Sequence, residues 1–363
     1  MTYKVIQWSS GTVARDAAIG IHGHPDLELV GARVYAEEKE GQDFGVLCGV
    51  EPWGIKASRD EAALLASSAD CVSFMPGRTW AHDGTETFAE LLRILRAGKN
   101  VVSLWWPMLV YPKGMEGDYA DELEQACQDG GTSFVTVGMD PGFGTASLAL
   151  SALSLSREVR SVHMYQVMNS ANWEGPGVWE FFAFGQKDPM ASALLHPGRA
   201  IGFHTTTLHM LADAMGLTID DIIQDHKVLY ADEAFDIKSG HIAKDTISGM
   251  RYQVQAIVDR EVRLIVEHVD RCREEDWPDM EFEGDGFRVV VDGQPRVQLE
   301  MKLQATPTFT GDPVSVACAM SCINAIPQVC DAPPGVMTLL DLAPFPSKNH
   351  AEPGAAPGWV ERL

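Results

Sequence analysis

The chain has 363 residues, 45% of them hydrophobic and 22% charged, with a formal net charge of −23. That length suits two domains of ordinary size, and the balance argues against disordered or collagen-like chains. With no Lys/Arg-rich run, the strong negative charge argues against a nucleic-acid partner, which needs clustered cations to displace counterions.

The first 140 residues alternate strand and helix signals. Lys4 to Trp8 reads as a strand, Ser9-Ser10-Gly11 as a turn, Thr12 to Ile21 as a helix and Leu27 to Tyr35 as a second strand. Strands at Ala69–Met75, Asn100–Leu104 and Ser133–Val137 follow, separated by helices at Thr85–Ala97 and Asp118–Cys127. Short apolar strands spaced by helices predict a parallel sheet covered on both faces. Beyond Val137 a turn-rich loop, Gly138 to Gly144, leads to an Ala/Leu/Ser helix from Thr145 to Ser156. Longer strands are expected at Val159–Met168, Arg251–His268, Phe287–Val291 and Arg296–Ala305, with a helix at Phe203–Met215. A last helix starts at Pro313, capped by Asp312, and runs to about Ala325. The Pro/Gly-rich stretch from Pro344 to Leu363 is expected to wrap the surface. The expected fold class is α/β, an N-terminal Rossmann domain with a parallel sheet (residues 1–144) plus an α+β second domain with a largely antiparallel sheet (145–310). A C-terminal segment, 311–363, completes the chain.

The seven scattered cysteines include no CxxC pair and read as core thiols of a reducing compartment. The chain leads straight into a strand rather than a signal peptide, and no apolar run reaches the ~18 residues of a membrane span. A cytoplasmic address without membrane contact is expected.

The first β–α turn carries the main chemical clue. A dinucleotide loop needs a bare residue where backbone meets the pyrophosphate and a small one where helix meets strand. Gly11 and Ala14 fit those roles, and Trp8 stands about where the usual first glycine would be. Trp8, Ser9, Ser10, Gly11, Thr12 and Val13 are therefore candidate cofactor contacts, with the phosphates on the helix N-terminus. At the end of the second strand, Tyr35-Ala36-Glu37-Glu38-Lys39 lacks an acid directly in the ribose-reading place. Tyr35, Ala36 and Lys39, with Arg33 nearby, tilt the choice between NAD and NADP towards NADP. Glu37-Glu38-Lys39 reads equally well as a solvated loop.

At this point a family resemblance appears. The opening Val5-Ile6-Gln7-Trp8-Ser9-Ser10-Gly11, His24-Pro25-Asp26-Leu27, Met75-Pro76 and Gly138-Met139-Asp140-Pro141-Gly142-Phe143 resemble proteins with a dihydrodipicolinate-reductase-type N-terminal domain. Asn324-Ala325-Ile326-Pro327 with Ala332-Pro333-Pro334-Gly335 resembles, more narrowly, the branch of 2,4-diaminopentanoate dehydrogenase and the native amine dehydrogenases. The resemblance implies NAD(P)-dependent hydride transfer to an imine or carbonyl of a small molecule, a homodimer built through the second domain, and a C-terminal segment returning to the Rossmann domain. It further implies cofactor contacts from Met75, Pro76, Gly138, Met139, Pro141 and Asn324. One departure stands out. Amine-forming members carry an acidic pair before a Tyr-Pro after the fifth strand. Here that stretch reads Trp105-Trp106-Pro107-Met108-Leu109-Val110-Tyr111-Pro112, so an ammonium ion would lose its counter-charge.

Tyr111 is then the first candidate proton donor, joined by His163 and Tyr165, which alternate with Asn169 along one face of a predicted strand. Trp105, Trp106, Met108, Asn169, Trp173 and Trp179 are candidate substrate contacts. His204 and His209, at i,i+5, do not share a helix face, so no metal site is expected. The reading that follows is an NAD(P)-dependent oxidoreductase acting on a C=O or C=N bond of a small, fairly apolar molecule. Two alternatives remain open: an amine dehydrogenase in which Glu174 or Glu180 replaces the missing acid, and a dinucleotide-binding sensor or scaffold without catalysis.

Overall fold

The computed structural model describes residues 2–77, 84–172, 179, 181–196, 199–306, 309 and 311–349. Its first half builds one parallel sheet. The elements run β1 (Tyr3–Trp8), α1 (Thr12–His22), β2 (Leu27–Arg33), α2 (Phe44–Cys48), β3 (Ala57–Ser58), α3 (Glu61–Leu65), β4 (Cys71–Phe74), α4 (Gly84–Arg96), β5 (Asn100–Ser103), α5 (Tyr119–Gly130) and β6 (Ser133–Thr136). Strands β4, β5 and β6 are almost wholly buried, which explains why they read as unbroken apolar runs. The second strand ends at Arg33, two residues earlier than the sequence suggests, and its chain continues past Tyr35 into a 3-10 turn.

The second half begins with a π-helical turn, Phe143–Ser147, running into α6 (Leu148–Leu153), and continues with β7 (Glu158–Asn169), α7 (Arg199–Met215), β8 (Asp221–Tyr230), β9 (Phe235–Ile237), β10 (Gly240–Ile242), β11 (Ile247–Val258), β12 (Glu261–Arg271), β13 (Gly286–Gln294) and β14 (Val297–Lys302). Six of these strands form a sheet in the order β14-β13-β7-β12-β11-β8. Only β7 and β12 pair in parallel; every other neighbour is antiparallel. The stretch expected as one strand from Arg251 to His268 is a hairpin. It turns at Asp259-Arg260, both at positive φ (53° and 68°), the conformation of a two-residue turn matched to strand twist.

The chain then returns to the first sheet. Helices α8 (Pro313–Ile323) and α9 (Ile326–Asp331) are followed by β15 (Gly335–Met337), which pairs in parallel with β6. The parallel sheet therefore has seven strands, in the order β15-β6-β5-β4-β1-β2-β3. Pro313–Asp331 is long and apolar enough to cross a membrane by length and composition. Its apolar character has a local reason: Ala319, Cys322, Ile323, Ile326 and Val329 join the core on the α1 side of the sheet. Helices α1 and α8 approach closely because Gly20 has no side chain; a Cβ there would lie 2.5 Å from Met320 Sδ. The segment stays on this surface to Asn349, whose amide donates to the Gly20 carbonyl.

Candidate functional site

Two cavities meet at the carboxyl ends of the parallel strands. The first, about 340 Å3, is lined by the α1 entry (Gly11 to Ala14), by Met75-Pro76-Gly77 after β4, by Leu104, Trp105 and Pro107 after β5, and by Val137 to Pro141 after β6, with Cys318 of α8 closing one wall. This is where an open parallel sheet binds a dinucleotide. Helix α1 begins at Gly11 with no side-chain cap and no acid in its first turn, so its leading N–H groups face the cavity without an internal anion. A Cβ at Gly11 would meet nothing within 4 Å, so the space before this backbone is open. Bare amides over open space suit a pyrophosphate.

The phosphate turn is built differently from the sequence expectation. In the G-x-G-x-x-G spacing, Gly11 and Ala14 take the second and third places, and the first falls on Ser9. Ser9 indeed adopts φ 97°, the left-handed region that glycine favours, and its hydroxyl donates to the Met75 carbonyl at 2.5 Å. Trp8 is fully buried on the opposite face of the sheet, where strand alternation sends it, and its indole N–H donates to Glu90 at 3.0 Å. Trp8 thus does not line the cavity. At the neighbouring corner, the Tyr35 hydroxyl donates to the same Glu90, and the Arg33 guanidinium lies over the Tyr35 ring at 4.9 Å. Lys39 reaches back to Ser10 Oγ at 3.0 Å, bringing a cation to the edge of the phosphate turn. Ala36 caps the 3-10 turn that carries Lys39.

The loop after β6 shapes the inner wall. Gly142 sits at φ 151°, and a Cβ there would come within 2.2 Å of the Gly138 carbonyl. Gly144 faces the Phe287 ring with no room for a Cβ. These two contacts fold the loop so that Asp140 points away from the parallel sheet towards β12.

The second cavity, about 240 Å3, lies between β7, β11, β12 and α7. Its apolar lining is Met168, Phe181, Phe182 and Phe203; its polar lining is Gln166, Ser170, Tyr252, His268, Asp270 and Asp140. Asp140 lines both cavities. Strand alternation places His268 and Asp270 on the inward face of β12 beside Leu264 and Val266, opposite Gln166 and Met168 of β7. Asp140 accepts a hydrogen bond from His268 Nε2 at 2.6 Å, and His204 of α7 contacts the Tyr252 hydroxyl at 3.2 Å. One oxygen of Asp140 and one ring nitrogen each of His204 and His268 lie within 4.8 Å of one another. Neither Lys nor Arg lines either cavity among the described residues.

Burial and these contacts set the charges. Burial lowers the His204 pKa to about 3, leaving a neutral imidazole. Burial also works against charging His268, but the Asp140 charge and hydrogen bond outweigh it and raise its pKa. Asp140 is the converse case: burial is overcome by His268, and its pKa falls below the usual carboxylate value. For Asp270 burial outweighs the pull of the His268 charge, and with Asp140 nearby its pKa rises to about 7.

Several residues singled out in the sequence lie elsewhere. His163, Tyr165 and Asn169 do share one face, but it is the face of β7 turned away from both cavities. His163 stacks on Tyr165 and bonds Glu267 at 2.8 Å, and the Asn169 amide bonds Glu274. Tyr111 donates its hydroxyl to Asp213 of α7 and does not line a cavity. Trp105 and Pro107 line the first cavity, whereas Trp106 packs edge-on against Phe88 and Tyr119, and Met108 lines neither cavity. The Trp179 indole donates to Ser239, apart from both cavities. Asn324 ends α8 without lining the cofactor cavity; Cys318, one helical stretch earlier, does so instead. Trp173, Glu174 and Glu180 lie outside the described residues. Tyr252, His268 and Asp270 were not singled out in the sequence, Asp140 stood there only within the loop motif, and His204 was weighed only as a metal ligand beside His209. The available signal was the inward parity that His268 and Asp270 share with Leu264 and Val266.

Residues 147–352 match the family model of the 2,4-diaminopentanoate dehydrogenase C-terminal domain. A Streptomyces virginiae protein named amine dehydrogenase is 27% identical over 351 residues, covering 93% of this chain and 96% of the relative. The 2,4-diaminopentanoate dehydrogenase of Acetoanaerobium sticklandii is 25% identical over 261 residues, 71% of this chain and 70% of that one. Among solved structures, an amine dehydrogenase from Mycobacterium smegmatis shares the fold with a TM-score of 0.76 at 20% identity, covering 97% of this chain and 99% of that one.

Proposed function

The chain belongs to the 2,4-diaminopentanoate dehydrogenase C-terminal domain family, and from that premise we propose an NADP-preferring dehydrogenase that exchanges hydride with a carbon bearing nitrogen or oxygen in a small, largely apolar molecule. The observation that carries this reading is the double position of Asp140, which lines the cavity at the dinucleotide turn and the cavity walled by Phe181, Phe182 and Phe203. The bound nicotinamide supplies or accepts the hydride. Gly11 and the first turn of α1 hold its pyrophosphate, and Lys39 and Arg33 stand where a 2′-phosphate attaches. Met168 and the three phenylalanines exclude water and hold the apolar body of the substrate. Asp140 and His268 face its polar atom and exchange the proton that accompanies hydride transfer.

A specific observation favours nitrogen over oxygen. The stretch after β5 lacks the acidic pair of amine-forming members, yet Asp140 and Asp270 bring two carboxylates into the second cavity with no Lys or Arg beside them among the described residues. Asp140 is already paired with His268, so a cationic substrate nitrogen finds its counter-charge in Asp270 as that carboxyl ionises near pH 7. The reading is tested by titrating NADPH and NADH, then measuring turnover with apolar ketones, with and without ammonia. Tight NADPH binding and ammonia-dependent oxidation are expected. Ammonia-independent turnover favours the carbonyl reading, and failure to bind either nucleotide removes both.

A further inference from the structure

We propose that Asp140, His204 and His268 form a binding site for one divalent cation of the zinc class at the junction of the two cavities. Two imidazoles and one carboxylate are the ligand set of many catalytic metal centres, which use three protein ligands and leave an outward position open. Here the three ligand atoms lie within 4.8 Å of one another. Bonds of about 2.0–2.2 Å need a closer grouping, so the proposal requires the three side chains to rotate inward when the ion binds.

Three further observations point the same way. The His204 side chain is fully buried, and its Nδ1 has no hydrogen-bond partner. Its Nε2 contacts the Tyr252 hydroxyl, the outer contact that fixes a metal-binding imidazole with its other nitrogen turned inward. Asp140 Oδ1 is likewise buried, with the Thr145 hydroxyl as its neighbour. The second cavity also holds two carboxylates, Asp140 and Asp270, with no Lys or Arg among its described lining residues. A dication between Asp140 and His268 would replace the hydrogen that now joins them and would take over from that pair the contact with the substrate's polar atom. An open position on the ion would give onto the second cavity, at the Asp140–His268 end where the proposed function places the substrate's polar atom. The site itself does not depend on that reading.

The test is metal binding, measured apart from turnover. Full-length protein is stripped with a chelator, dialysed, and titrated with Zn2+ and with Co2+, whose visible absorption reports its ligands; bound metal is counted by mass spectrometry. The expected result is about one ion per chain, with at least a 100-fold loss of affinity in His204→Ala and in His268→Ala and about tenfold in Tyr252→Phe. Circular dichroism and the Tm serve as the folding control, and His204→Gln replaces any alanine variant that fails it. Less than a tenth of an ion per chain, or stoichiometric binding that survives the histidine variants, overturns the site.

Discussion

His268 Nε2 lies 2.6 Å from Asp140 Oδ2, so a strand of the second sheet and a loop of the first meet in one buried hydrogen bond. The proposed chemistry requires this contact and the cofactor cavity does not. Asp140→Asn and His268→Gln should therefore lower kcat by roughly 10²–10⁴-fold, and His268→Gln, at a residue that does not line the first cavity, should leave the NADPH dissociation constant within about twofold. Steady-state rates beside fluorescence titration check this. An Asp140→Asn enzyme with near-normal kcat would remove Asp140 from the mechanism.

Gly11 has open space where a side chain would go. Gly11→Asp places a carboxylate where the pyrophosphate is expected and should abolish binding of both nucleotides. The Tm should shift little, because a Cβ there meets no protein atom within 4 Å. Binding that survives this substitution counts against the phosphate turn.

Lys39 donates to Ser10 at the cavity edge, and Arg33 lies over Tyr35 beside it. Loss of one charge-assisted hydrogen bond costs about 1.5–3 kcal/mol, so Lys39→Ala should weaken NADPH at least tenfold and NADH hardly at all. Equal losses for the two nucleotides would mean that Lys39 does not read the 2′-phosphate.

Gly142 combines φ 151° with a carbonyl only 2.2 Å from where its Cβ would lie. Gly142→Ala should cost on the order of 1–3 kcal/mol in strain and displace Asp140. Urea denaturation should report the loss of stability, and kcat should fall even where the protein remains folded. A Gly142→Ala protein with both values unchanged would show that the loop tolerates another path.

Glu267 provides a pH test remote from the cavities. Burial would raise its pKa, but the His163 hydrogen bond and the Arg251 charge outweigh burial and lower it. A depressed carboxylate contributes stability above its unfolded pKa, and that stability is lost as pH falls through the folded value. Glu267→Gln should therefore be less stable than wild type by about 3 kcal/mol at pH 7, and the gap should close below about pH 4. Denaturant melts at pH 7, 5, 4 and 3 measure it; a gap constant across that range would mean that Glu267 is not the source.

The parallel sheet was legible because its strands are short, buried and bounded by turns, so local composition carries the pattern. The β11–β12 hairpin was not. Its two-residue turn alone would exchange the inward parity between the strands, but the register shift between Ala256 and Ile257 restores it, so Val254, Ala256, Val258, Leu264 and Val266 continue one inward alternation and no break shows in the sequence. Strand β8 escaped notice because it is an exposed edge strand whose polar residues break alternation. At the site, alternation correctly grouped His163, Tyr165 and Asn169 but could not say which face is the inner one. Asp140 and His268 are 128 residues apart and meet only through tertiary packing. The first-glycine role fell to Ser9 because a hydrogen bond, invisible in sequence, holds it at positive φ.

Strand β15 and Cys318 belong to the last part of the chain, yet they finish a sheet and a cavity begun at Tyr3. A ribosome that has made only the first 300 residues has therefore produced a nucleotide cleft with one wall missing and β6 uncapped. Fragments cut before Pro313 should thus bind nucleotide more weakly than the full chain and tend to associate through the bare β6 edge.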